Sequence, residues 1–251
     1  MKKIIFWTAL ISILGLLIGA CSKRSAEDAT TAFVESCDDT TASGSITIGS
    51  DTASGTYLFL TGNQFYNSRP ATGCDDVSSS YDGTDPTIPT GTQSILKKKI
   101  ITSSTSFVDH ESYYSDTACT SRLGYIEKKY SNLSVGDTVS GLDNSSGGRP
   151  TSGYRVTYNE ACAKIMADTD AAKVTFNTAY ASYFHVNPMT TGTEKVFSLG
   201  WGVQLGQTNY NIWGAGDNGT TFSFYEARGG SAGYEPSDWG DWSGKTYQIQ
   251  K

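Results

Sequence analysis

Any histidine-dependent hydrolysis or zinc chemistry in this 251-residue chain must use His110 or His185, its only two imidazoles. His110 stands among polar residues of a β-like run, and His185 precedes Val186-Asn187-Pro188 at a turn. Both read as surface or half-buried side chains. Gly229-Gly230-Ser231-Ala232-Gly233 has the G-x-S-x-G spacing of a nucleophile elbow, which needs a strand before it and a helix after it. Tyr234-Glu235-Pro236 starts a helix poorly, and no histidine follows the serine. A glycine loop is the better reading, and no nucleophile–base–orienter set can be assembled from the sequence.

Carboxylates come in pairs at Asp75-Asp76, Asp168 with Asp170, and Asp238 with Asp241. Glycosidase chemistry needs two carboxyls about 5–10 Å apart across a cleft, a distance that spacing in the chain does not give. Asp143-Asn144-Ser145 opens like a calcium loop, but the position that should carry the closing acid is Tyr154. No metal and no cofactor is expected, and the chain reads as a non-enzyme. The most suggestive surface feature is the tail around Tyr234, Trp239 and Trp242, where Asp238, Gly240 and Asp241 flank the indoles. Such a mixture suits stacking on a sugar face, with carboxylates for its hydroxyls; the alternative is that both indoles pack on the core.

The formal charge is −6. An acidic chain whose one basic cluster is Lys97-Lys98-Lys99 is a poor nucleic-acid binder, and three lysines within a strand suggest an edge guarded against aggregation. The first twenty residues form an export signal: Lys2 and Lys3, then an apolar run from Ile4 to Ile18, then Gly19 and Ala20 before Cys21. The run Ile18-Gly19-Ala20-Cys21 resembles the lipobox of bacterial lipoproteins. That resemblance implies cleavage before Cys21, lipid (palmitate among its chains) on that residue, and anchoring to a membrane. Ser22, where aspartate would favour retention at the inner membrane, leans toward the outer membrane, facing either the periplasm or the outside. Residues 1–20 are then the signal peptide and 21–36 the lipid anchor with a flexible tether. Residues 37–251 form a single domain, long enough to bury a proper core.

With Cys21 used for lipid, Cys37, Cys74, Cys119 and Cys162 remain, an even set in an oxidising compartment. Two disulfides are expected. Three connectivities are open, and nearest-neighbour pairing, Cys37–Cys74 with Cys119–Cys162, closes the shorter loops.

Glycine, serine, threonine and tyrosine are abundant, and turn signals recur about every ten residues, which points to an all-β antiparallel domain. Strands are expected at residues 45–48, 56–61, 94–102, 104–114, 124–130, around 154–158, and at 196–201, 209–213, 220–225 and 246–250. Residues 69–91 read as a long loop, residues 134–137 as a turn, and 142–148 as a loop. Asp217-Asn218-Gly219 has hairpin-turn chemistry. One short helix is expected at about 168–183, capped by Asp168 or Thr169. The stretch from Phe107-Val108-Asp109-His110 through Tyr113-Tyr114 to Cys119, followed by residues 124–130, resembles the start of a lipocalin-like barrel repeat. The resemblance implies an antiparallel barrel, with a β-sandwich as the alternative; the Gly-x-Trp opening of lipocalins is absent, and Gly55-Thr56-Tyr57 only approximates it.

Two kinds of function follow as expectations. One is a lipid-anchored binding module holding a small apolar ligand or a glycan. The other is a surface interaction or adhesion protein contacting glycan, host matrix or another envelope protein.

Overall fold

The computed structural model describes residues 37, 40–59, 74–76, 87–142, 151–184, 188–197, 206, 208–217, 222–226 and 245–249. They fall within one compact unit, Glu35–Lys251; the other unit, Met1–Val34, lies outside them. The described residues are all-β and antiparallel, with one helix and two disulfides. In chain order the strands are β1 (Ser45–Ile48), β2 (Asp51–Ser54), β3 (Thr56–Phe59), β4 (Cys74–Asp76), β5 (Ser94–Ile101) and β6 (Phe107–Tyr114). Then come β7 (Arg122–Ser140), β8 (Ser152–Ala167), helix α1 (Asp170–Phe184), β9 (Lys195–Phe197), β10 (Thr208–Asp217), β11 (Phe222–Glu226) and β12 (Lys245–Ile249).

The pairings follow a circuit. β3 pairs β5, then β6, β7, β8, β10, β11 and β12 follow in turn, and β12 pairs β3 again. Each of these strands therefore has a hydrogen-bonded neighbour on both sides. β3 and β4 lie along the same edge of β5, at Lys98–Ile100 and Ser94–Leu96 respectively. β9 and β10 share one edge of β8 in the same way. The Lys97-Lys98-Lys99 cluster is thus not an edge guard. Its strand is central, and the period-two alternation sends Lys97 and Lys99 to one face and Lys98 to the other.

Directly opposed residues share a face, so the register defines two surfaces. One carries Ile95, Lys97, Lys99 and Ile101 on β5, with Tyr113, Glu111, Asp109 and Phe107 opposite them on β6. It continues through Gly124, Ile126, Lys128 and Tyr130 on β7. At one end of this face an apolar cluster joins Ile101, Phe107, Val156, Tyr158 and Trp213 to Ile46, Ile48 and Ala53 of the β1–β2 hairpin. At the other end Ile95, Tyr113 and Ile165 pack with Ala172 and Phe176 of α1. Gly124 admits this approach, because a Cβ there would lie 2.6 Å from the Met166 carbonyl oxygen and 2.9 Å from the Phe176 ring. The helix begins at Asp170, and Thr169 is the one of the two expected caps that serves: its hydroxyl accepts from the Ala172 N–H at 3.2 Å, while Asp168 is held by Arg122 at 2.6 Å.

Several expected boundaries move. Ser134–Asp137 is not a turn; β7 runs through it, with register shifts between Lys129 and Tyr130 and again on either side of Ser134. These bulges bend one long strand where the Gly-Asp chemistry suggested a reversal. Asn132, at φ 53°, takes the left-handed backbone that asparagine tolerates. β2 and β4 are too short to announce themselves, and β4 lies inside the stretch expected to be loop.

The disulfides join Cys37 to Cys162 and Cys74 to Cys119, with Cα separations of 5.8 and 5.9 Å. Nearest-neighbour pairing is therefore wrong. Loop length loses to topology here: pairing of β4 with β5, and of β5 with β6, carries Cys74 toward the turn that follows β6.

That turn is organised by Asp116. Its carboxylate accepts backbone N–H bonds from Ala118 at 2.8 Å, Thr120 at 3.1 Å and Ser121 at 2.6 Å, while Cys119 sits at φ 54°. Desolvation raises this carboxyl, but the hydrogen bonds from Thr120, Ser121 and Ala118 outweigh it and bring it down to about 2. A depressed carboxylate contributes stability that is present above its unfolded pKa of about 3.9 and lost as pH falls through the folded value. Carboxyl-carbon NMR should therefore show Asp116 titrating near 2, with the turn loosening only below pH 4. A midpoint near 3.9 would mean the cradle does not form in solution.

Candidate functional site

Midway between its two apolar ends, the face shared by β5 to β8 carries a belt of charge. Lys97 pairs with Glu111 at 3.0 Å, and Lys99 with Asp109 at 2.6 Å. Lys128 approaches Glu160 at 3.6 Å, beyond a good hydrogen bond. Lys99 is 0 % exposed, with its ammonium 4.0 Å from the centre of the Phe107 ring and 5.3 Å from that of Trp213. Those rings belong to an aromatic group in which Tyr130 stacks on Phe107 at 4.7 Å and Tyr158 meets it edge-on at 5.1 Å. The electron-rich ring faces favour an ammonium that has lost its water.

Glu160 is the strained member of the belt. It is 6 % exposed, and its Oε1 is buried without a hydrogen-bond partner. Burial pushes its carboxyl up, Lys128 pulls it down, and the nearby Asp109 charge adds to the rise. The residue stands where β8 is bulged, opposite Tyr130, in the interval between the segments paired with β9 and with β10. Its carbonyl oxygen accepts from the Gly206 N–H at 2.8 Å.

The opposite face holds a second network. His110 Nε2 is 2.7 Å from the Ser112 hydroxyl, and His110 Nδ1 is 2.9 Å from Glu127 Oε2. Lys164 lies 3.3 Å from Glu127 and 3.6 Å from Glu194, whose carboxylate accepts the Tyr125 hydroxyl. The Tyr125 ring stacks on His110 at 5.1 Å. A serine, a histidine and an acid thus meet at distances suited to nucleophile activation, a set that sequence reasoning did not assemble. Hydrolysis needs more than those distances. Ser112 is 2 % exposed and lies mid-strand, laddered to Leu96 on one side and Tyr125 on the other. The backbone of β6 around Ser112 is itself engaged in these two ladders. Within this set Glu127 is held below the usual carboxylate range. Its own burial opposes ionisation, and the His110 hydrogen bond and Lys164 more than compensate.

Of the residues singled out from sequence, Cys21, His185, the loop 229–233, Tyr234, Trp239 and Trp242 lie outside the described residues, as do Asp143, Asp238 and Asp241. Asp168 and Asp170 do not face each other across a cleft. Asp168 takes Arg122, whereas Asp170 takes Lys173 and the Thr191 hydroxyl, each at 2.6 Å. Among the described residues no group of three or more His, Cys, Asp or Glu side chains is arranged to hold a metal ion.

The belt was missed for an identifiable reason. Lys97 and Lys99 are in phase with Ile95 and Ile101, and Asp109 and Glu111 with Phe107 and Tyr113. Reading the lysines as a run of three hides that phase. Comparison with protein-family models and with curated proteins finds no match.

Proposed function

We propose that this chain is a lipid-anchored envelope protein of the bacterial outer membrane, a non-enzymatic module that binds a small ligand inside a lipocalin-like barrel. The anchor rests on Cys21 following Ile18-Gly19-Ala20, a lipobox-like end to an export signal. The barrel reading is supported by the circuit of antiparallel pairings from β3 round to β12 and back, since a sandwich of two separate sheets has unpaired edges and such a circuit has none. The observation that carries the binding reading is the belt. Charged side chains at the middle of an otherwise apolar face are expensive to bury, and one of them, Glu160, is left short of a hydrogen-bond donor. Few convergent polar groups on an apolar wall are what ligand sites present.

Native mass spectrometry of the full chain, released from membranes in mild detergent, tests this directly. The denatured mass should carry acyl chains on Cys21 and two disulfides. The native mass should include a reproducible adduct lost on denaturation. An unacylated Cys21 removes the anchor, and a bare native mass from several growth conditions removes the ligand.

A further inference from the structure

We infer that the belt recognises a neutral polyhydroxyl compound, a sugar or polyol, through a hydroxyl seated between Glu160 and Lys128. This rests on the binding reading above and names the ligand class for the same site.

The argument starts from what each charged pair still needs. Lys97–Glu111 and Lys99–Asp109 are closed at 3.0 and 2.6 Å, within direct hydrogen-bond range. Lys128–Glu160, at 3.6 Å, is not, and Glu160 Oε1 has no hydrogen bond although the residue is more than nine-tenths buried. A ligand group that completes the Lys128–Glu160 pair must donate to the carboxylate and accept from the ammonium. A hydroxyl does both through one oxygen. Two contacts of about 2.8 Å to that oxygen span a 3.6 Å gap without moving either side chain.

Charge then excludes the alternatives. Among the described residues the belt sets Lys97, Lys99 and Lys128 against Asp109, Glu111 and Glu160. Seated between the two, a cation is repelled by the Lys128 ammonium and an anion by the Glu160 carboxylate, and an acyl chain supplies no donor to Glu160 at all. A neutral hydroxyl compound avoids all three penalties. The surroundings suit it as well. Tyr130, opposite Glu160 in the register, is half-buried and belongs to the aromatic group, and ring faces stack against the C–H face of a sugar. The bulge at Glu160 sets this side chain apart from its strand neighbours, as bulges beside binding sites do.

The test is calorimetric titration of the full chain in mild detergent with glucose, maltose, trehalose and myo-inositol, alongside glucosamine, glucuronate and laurate. At least one neutral compound should bind, and its charged counterpart should bind at least tenfold more weakly. Glu160→Leu and Lys128→Met should each weaken the neutral ligand at least tenfold while circular dichroism and the disulfide map stay unchanged. Glu160→Gln, which keeps the shape and loses the charge, should fall between. If laurate or a charged compound binds and the neutral ones do not, the module stands and the hydroxyl assignment is overturned. Neutral binding that both Glu160→Leu and Lys128→Met leave intact moves the site off the belt, and overturns the inference in a different way. No binding by any probe, together with a bare native mass, overturns the inference and the binding reading together.

Discussion

Asp109→Ala should destabilise the protein by about 3–5 kcal/mol, the range for stripping one partner from a buried ion pair. Lys99 is fully buried, and its ammonium meets the Asp109 carboxylate at 2.6 Å. Truncating the acid removes the carboxylate from an ammonium whose neighbours include the Phe107 and Trp213 rings. Ring faces attract a cation by about 0.5–2 kcal/mol, too little to replace a carboxylate for an ammonium that is itself 0 % exposed, although the Asp109 side chain is 27 % exposed. The second half of the prediction separates charge from packing. Replacing the pair together, Lys99→Met with Asp109→Leu, should recover most of the loss or exceed wild-type stability, because apolar residues of similar volume need no partner. The neighbouring Lys97–Glu111 pair, each side chain about a quarter to a third exposed, should cost about 1 kcal/mol or less on Glu111→Ala. Urea unfolding of the three variants beside the wild type reads all of this. A small loss for Asp109→Ala would mean that solvent reaches Lys99, and the belt would then be a wet rim.

The same residues show how far the sequence could be read. Turn spacing and composition were enough for an all-β antiparallel fold, capping residues for the described helix and an even cysteine count for two disulfides, because those signals do not depend on the tertiary fold. Most strand cores were legible for that reason, as in β1, β5 and β6, where alternation or apolar density is strong. What failed depended on contacts far apart in the chain. The meaning of Lys97-Lys98-Lys99 turns on whether β5 has neighbours on both sides, and nothing local says so. Ser112, His110 and Glu127 converge only because β6 and β7 pair with His110 opposite Glu127. Glu160 stands alone in sequence, and its environment comes from a bulge and from Lys128 on the adjacent strand. Continuing β7 through a Gly-Asp pair was likewise a tertiary decision, made by β8 pairing along its whole length.

The disulfides carry the other large expected effect, and the two bridges should differ. Cys37–Cys162 spans 125 residues and Cys74–Cys119 spans 45. The chain-entropy relation gives about 5 kcal/mol for the longer loop and about 4 for the shorter. Paired serine substitution at Cys37 and Cys162 should therefore lower the urea midpoint more than the same change at Cys74 and Cys119. Local structure widens the gap. The turn carrying Cys119 keeps the Asp116 hydrogen bonds when its bridge is gone, so part of its order survives. Cys37 comes before β1, the first described strand, and its bridge ties the segment that leads into β1 to the middle of β8, next to the Glu160 bulge. Under the anchoring proposed above, tension from the membrane reaches this bridge before it reaches the β1–β2 hairpin. Its loss should accordingly expose the hairpin to proteolysis while the β5–β8 ladder stays protected, which hydrogen exchange resolves strand by strand. Peptide mapping without reduction must first recover Cys37 linked to Cys162. A Cys37–Cys74 peptide instead would undo the ranking, since the longer of the two loops would no longer exist.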